Sequence, residues 1–183
     1  MLQDKKGKIW LGTTNGVYCY NGSTFTNILE LGFLSNKLNS DISGFISVPS
    51  IIQDIDGNIW FTSWSEGLCR FDGTTITLFK SEGHLLSNKG LLQDKNGDIW
   101  IAERGYGGVS RYNGKTFKKL FTDLLITDIK EDRKGNIWFA TFDRKKKSGS
   151  IVCYNPTTDE TVSQFTVTDK NGNNNISCIA IDK

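Results

Sequence analysis

Asp132-Arg133-Lys134-Gly135-Asn136-Ile137-Trp138 decides the fold, because the chain writes this phrase four times. The other copies open at Asp4, Asp54 and Asp94, and each runs Asp, two mostly polar residues, Gly, a polar residue, Ile, Trp. The tryptophans therefore fall at Trp10, Trp60, Trp100 and Trp138, spaced by 50, 40 and 38 residues, a repeat protein's periodicity. The pairs Asp4 and Gly7, Asp54 and Gly57, Asp94 and Gly97, Asp132 and Gly135 suit a type I β-turn, in which the Asp side chain caps the backbone and the Gly takes the exit geometry. Each phrase thus reads as a tight turn feeding a strand.

Outward from the turn, the first copy predicts strands over 9–13, 17–20 and 24–28, with Asn21-Gly22 as a short hairpin signal between the last two. The second and third copies follow the same plan and turn at Asp72-Gly73 and Asn113-Gly114. The fourth turns at Asn155-Pro156, where Pro suits the second position of a type I turn. After 161–165 and a polar run, Ile176-Ser177-Cys178-Ile179-Ala180-Ile181-Asp182 matches 126–132, so a fifth repeat begins.

Four short antiparallel strands every forty or so residues, joined by short connections, describe a β-propeller blade. The expected fold is all-β: about four four-stranded antiparallel blades plus the start of a fifth, in one propeller region over 1–183, with repeats at 1–44, 45–85, 86–123, 124–175 and a partial 176–183. Strands apolar on both faces fit blades stacked face to face, which makes each repeated Trp inter-blade core rather than a ligand platform.

Composition narrows the function classes. The 183 residues are 37% hydrophobic with five Trp, enough for a substantial core, and 19 Gly against two Pro suit many tight turns. A net charge of +2 gives no electrostatic case for nucleic acid. No run of eighteen apolar residues exists and no charged and apolar leader precedes Asp4, so this segment is expected to make no membrane contact and to carry no export signal. Cys19, Cys69 and Cys153 read as one equivalent position of the repeat, held by Arg111 in the third copy, and equivalent positions lie too far apart for a disulfide. They are expected to be small strand residues, with no metal and no cofactor implied. Cys178 has no evident partner.

The phrase 124–141, with Ile9-Trp10-Leu11-Gly12-Thr13-Thr14-Asn15-Gly16-Val17 and the linkers Leu34-Ser35-Asn36-Lys37 and Leu86-Ser87-Asn88-Lys89, resembles the two-component regulator propeller repeat. That resemblance covers nearly the whole chain. It implies large propellers, commonly of seven blades, in periplasmic or extracellular sensor regions of hybrid two-component systems that recognise glycans. Against that pattern this sequence has about four and a half repeats and no transmembrane helix, kinase or DNA-binding region. It reads as a piece of a longer propeller, or as a short one that closes by pairing its termini or by oligomerising. Open blade edges make self-association a further expectation.

The repeated turns share one end of the blades, so binding is sought at the other, in the loops that differ. Trp64, Tyr106 and Phe142 are aromatic residues there, beside Glu66, Glu103, Arg104, Asp143 and Arg144. Aromatic faces with carboxylates and guanidinium groups suit a small glycan or a peptide. The lysines 145–147 read as a solvated loop. The expected function is a noncatalytic ligand-binding sensor module, with an oligomerisation scaffold as one alternative. Phrases such as 57–61 and 135–139 are also similar to the streptogramin B lyase propellers, whose histidine and metal would find a counterpart only in His84, so a lyase is the other alternative.

Overall fold

The computed structural model describes residues 1–33, 47–63, 67–79, 87–103, 105–167 and 176–182. Contacts divide the chain into two compact units, Met1–Ser87 and Asn88–Lys183. In the first unit, β1 (Leu2–Gln3), β2 (Ile9–Thr13), β3 (Gly16–Tyr20) and β4 (Phe25–Asn27) form one sheet; α1 (Ile28–Phe33) follows; β5 (Ser50–Gln53), β6 (Ile59–Ser63), β7 (Gly67–Phe71) and β8 (Ile76–Phe79) form the next. Beyond them, β9 (Ser87–Gln93), β10 (Ile99–Glu103), β11 (Val109–Tyr112) and β12 (Phe117–Leu120) make a third sheet, and β13 (Leu124–Glu131), β14 (Ile137–Asp143), β15 (Ser148–Asn155) and β16 (Glu160–Val167) a fourth. Every sheet is a four-stranded meander in sequence order. The fold is all-β and propeller-like, with four antiparallel blades, numbered 1 to 4 below.

The repeated turn is built as its residues require. In the first copy the Gly7 amide donates to the Asp4 carbonyl (3.0 Å) and the Asp4 amide to the Lys8 carbonyl (2.9 Å). Gly7 has φ +82°, the left-handed region glycine enters without a side-chain penalty. One oxygen of the Asp4 carboxylate accepts from the Lys6 and Lys8 amides, both at 2.9 Å, and the other accepts from the Trp10 indole Nε1 at 2.8 Å. The same indole bond recurs from Trp60 to Asp54 (2.7 Å), Trp100 to Asp94 (2.8 Å) and Trp138 to Asp132 (2.9 Å). The carboxylate therefore ties turn to core as well as capping the turn.

Strand register shows how the blades stack within each unit. Trp10 lies opposite Leu2 and Cys19, and this Trp-bearing face of blade 1 packs on the face of blade 2 that carries Ile59, Phe61, Cys69, Phe71 and Ile76. In the second unit the Trp100, Ala102 and Val109 face of blade 3 packs on Ile129, Ile137, Phe139, Val152 and Tyr154 of blade 4. The rule is the same twice: the Trp face of one blade meets the Ile face of the next. Trp10 and Trp100 sit inside these cores, with ring centroids 6.0 Å from Phe71 and 5.8 Å from Phe139. Trp60 is buried and stacks on Phe79 at 5.1 Å. Trp60 and Trp138 belong to neither cluster and Trp138 is only half-buried, so among the described residues the inter-blade core placement is seen for Trp10 and Trp100.

Two local expectations are corrected, and two others take a particular form. Asn21-Gly22 opens the expected hairpin: Tyr20 pairs with Phe25 across a four-residue loop, in which Asn21 Oδ1 accepts from the Ser23 and Thr24 amides, both at 3.0 Å. Such a side-chain cap stabilises a longer loop than the dipeptide alone implies. The strand expected to run to Ile28 stops at Asn27, whose Oδ1 accepts from the Leu29 amide (3.1 Å) and so caps α1. The cysteines are not equivalent: Cys19 and Cys153 face Trp10 and Trp138, but Arg70 faces Trp60 and Cys69 faces Phe61, one residue out of step. Residues 176–182, where a fifth repeat is expected to begin, are not paired in a strand ladder among the described residues. They lie beside β13, with the Ile176 carbonyl accepting from the Thr127 hydroxyl and the Ile179 amide donating to Asp128 Oδ2 (2.9 Å).

All four cysteines are thiols; Cys19, Cys69 and Cys153 are buried and Cys178 exposed. Burial pushes the Cys19 and Cys153 thiols above the usual range, which disfavours the reactive thiolate.

Candidate functional site

At the loop end of blade 1 the β2–β3 connection is short and closed on itself, with the Thr13 hydroxyl donating to the Gly16 carbonyl (3.0 Å) and accepting from the Asn15 amide (3.1 Å). The corresponding loop of blade 2 contains Trp64 and Glu66, which lie outside the described residues, as does Arg104 of blade 3.

In the second unit three connections converge. The β10–β11 loop closes with the Glu103 amide on the Gly108 carbonyl (3.0 Å), and Gly108 donates to the Leu124 carbonyl (3.2 Å). A Cβ at Gly108 would lie 2.4 Å from the carbonyl oxygens of both Leu120 and Phe121, and φ is +76°, so only glycine lets this loop press against the β12–β13 turn. Asp123, in the left-handed region at φ +76°, donates its amide to the Tyr106 carbonyl at 3.0 Å. From the β14–β15 turn, Arg144 places its guanidinium carbon 5.7 Å from the Tyr106 ring centre, and Lys145 Nζ lies 3.5 Å from Asp123 Oδ2. Tyr106, Asp123, Arg144 and Lys145 thus form one cluster on three connections.

The expected site residues divide on inspection. Tyr106 and Arg144 meet. Asp143 caps its own turn, accepting from the Lys145 and Lys146 amides at 2.8 and 3.1 Å, and the Lys146 amide leads in holding its carboxyl below the usual range. Phe142 is a strand residue between Leu125 and Gly149 and is half-buried. Glu103 is 5% exposed and engaged inward, accepting from the Ser110 hydroxyl and paired with Lys119 Nζ at 3.2 Å. The sequence reading missed Asp123 and set aside Lys145. The signal for Asp123 was its place in a short inter-blade connection, where Asp tolerates a left-handed backbone.

The opposite end differs between the units. In blade 3, Arg111 lies beside Trp100 (5.3 Å to the ring centre), pairs with Asp98 at 2.5 Å and donates to the Pro156 carbonyl at 3.0 Å. Nearby, the Tyr154 hydroxyl and Lys118 both donate to Asp159, and burial, then that carboxylate, raises the Tyr154 pKa. In blade 1 the register puts Cys19 where Arg111 stands and Lys8 where Asp98 stands. A cleft of about 360 Å³ lies over Trp10, Cys19 and Phe71.

Among the described residues no group of three or more His, Cys, Asp or Glu side chains is placed to hold a metal, and no helix is long and apolar enough to cross a membrane. His84 lies outside the described residues.

Comparison with known proteins agrees with the architecture. Residues 121–143 match the family described as two component regulator propeller. The extracellular domain of BT4673 from B. thetaiotaomicron, described as a hybrid two component system, superposes with a TM-score of 0.66 at 22% identity, covering 100% of this chain and 24% of that one. Virginiamycin B lyase from Staphylococcus aureus gives 0.62 at 18% identity over 91% of this chain and 54% of the lyase. A streptogramin B lyase structure gives 0.61 at 19%. No curated protein matches the sequence. The chain spans about half of each lyase and about a quarter of the BT4673 domain, and at these identities the likeness is one of fold. The fold is therefore that of a partial β-propeller, and one stretch of it, from the β12–β13 turn through β14, matches the two component regulator propeller family.

Proposed function

We propose that the chain is a noncatalytic ligand-binding module of a periplasmic or extracellular sensor, and that its loop end takes a small glycan or peptide. The observation that carries the reading is the meeting of Tyr106 and Arg144 from separate connections, at 5.7 Å, with Asp123 and Lys145 beside them. An aromatic ring next to a guanidinium offers an apolar surface and directed donors together, the combination that a sugar ring or a peptide with a polar side chain uses. Trp64, Glu66 and Arg104 belong by sequence to the same class of loops. The likeness to the extracellular domain of a hybrid two component system supports the sensor setting.

Isothermal titration against a panel of defined oligosaccharides and short peptides tests it. For whichever probe binds, Tyr106→Ala and Arg144→Ala are each expected to weaken affinity about tenfold, which corresponds to roughly 1.4 kcal/mol. Unchanged affinity in both variants contradicts the placement.

A further inference from the structure

The cleft of about 360 Å³ in the first unit is lined by blade 1, blade 2 and the first residue of α1, so both of its walls belong to one interface inside one unit. Its floor is apolar, with Trp10, Cys19, Ile28, Ile59 and Phe71 all buried. Its walls carry charge of opposite sign. Blade 1 contributes Lys6 and Lys8, blade 2 contributes Asp56 and Asp72, and all four are exposed. A further carboxylate, Asp4, is buried and committed, one oxygen to the Lys6 and Lys8 amides and the other to the Trp10 indole. The four exposed groups form no ion pair among the described residues, and Asp72 accepts from the Thr74 and Thr75 amides through Oδ1 alone. In the second unit the chain itself occupies the equivalent place. Arg111, in the register of Cys19, sets its guanidinium carbon 5.3 Å from the Trp100 ring centre, pairs with Asp98 and donates to the Pro156 carbonyl of blade 4. Lys8 and Asp98 hold the same turn position, each donating its amide to the Asp of its repeat, so the rim charge is reversed between the two places.

We propose that this cleft is a second binding site, at the turn end, for a free α-amino acid with an apolar side chain. The side chain enters against Trp10 and Phe71, the carboxylate meets Lys6 and Lys8, and the ammonium meets Asp56 and Asp72. The volume is that of a small-molecule site with an apolar floor and a few polar groups to orient the ligand. A ligand bearing both signs satisfies both walls, whereas a simple anion or cation meets like charge on one of them. Exposed ion pairs contribute little each, so burial of the apolar side chain supplies most of the affinity and the walls select the ligand.

Nitrogen-15 labelling of the tryptophan indoles in the full 183-residue chain, followed by NMR titration with L-phenylalanine and L-leucine, tests this. The Trp10 Nε1–H resonance is expected to shift saturably, while that of Trp100, beside Arg111, stays in place. Phenylacetate and phenethylamine, each lacking one of the two charges, should bind several times more weakly than L-phenylalanine. Lys8→Gln and Asp56→Asn, at exposed positions outside the core, should each weaken binding about threefold, the scale of one exposed ion pair. Cys19→Arg, if circular dichroism shows it folded, should abolish the Trp10 shift by placing a guanidinium where the second unit has Arg111. A Trp10 resonance that neither amino acid moves, or equal shifts at Trp10 and Trp100, would overturn the proposal. So would phenylacetate or phenethylamine binding as tightly as L-phenylalanine, or wild-type affinity in both exposed variants.

Discussion

The Asp and Trp of each repeat act as one device. One carboxylate oxygen accepts from the turn amides and the other from the indole, so each repeat's Trp is fixed by its own turn. Trp100 is fully buried, and Trp100→Ala is expected to cost about 3–5 kcal/mol in chemical denaturation. An unchanged midpoint would contradict the core assignment. The same device sets an acid dependence. At Asp4 and Asp132 burial pushes the carboxyl pKa up, but hydrogen bonds from the indole and the turn amides outweigh it and leave the pKa below the ordinary 3.8. A carboxyl lowered in the native state contributes stability that is present above the unfolded value and lost as pH falls through the native one. Stability should therefore decline below about pH 4, and Asp132→Asn should flatten that decline; a slope identical to wild type would contradict it. At this scale the sequence was readable because each motif is local: turn, Gly and Trp lie within seven residues. It was not readable at Glu103, where a carboxylate beside a loop folds inward onto Ser110 and Lys119, partners that only the strand pairing brings near.

Strands were legible in number, order and approximate place, because the repeats align and the β-period repeats with them. The connections were less so. Asn21 stabilises a four-residue loop through its side chain, and Asn27 turns the end of β4 into a helix cap, both choices that a dipeptide preference does not distinguish. A one-residue offset in β7 likewise exchanged Cys69 for Arg70 opposite Trp60. Glycine demand also depends on packing. Gly114 has φ +87° with open space around its Cβ position, so Gly114→Ala should cost about 1–2 kcal/mol, from the left-handed backbone alone. At Gly108 the same backbone penalty is joined by two carbonyl oxygens 2.4 Å away, so Gly108→Ala should be clearly more destabilising in thermal melts and should disturb Tyr106. Equal effects at the two positions would show that the β10–β11 loop does not press on the β12–β13 turn.

For the whole molecule, repetition separates two ends with different physics. The turn end is nearly the same in every blade and is closed by hydrogen bonds that the chain supplies to itself; the loop end varies and brings Tyr106, Asp123, Arg144 and Lys145 together. Even the turn end is not uniform: blade 3 sets an Arg111 and Asp98 pair beside Trp100, whereas the first unit has a cleft over Trp10 and Cys19. The binding cluster was only partly legible because its members come from three connections, and Trp64 could be assigned to a loop but not to a neighbour. Hydrogen-exchange mapping of the 183-residue chain, with and without an oligosaccharide or peptide that binds, tests the central claim most directly. Protection is predicted at 105–107, 121–124 and 143–147; protection confined to the Asp-x-x-Gly turns at 4–7, 54–57, 94–97 and 132–135 would contradict it.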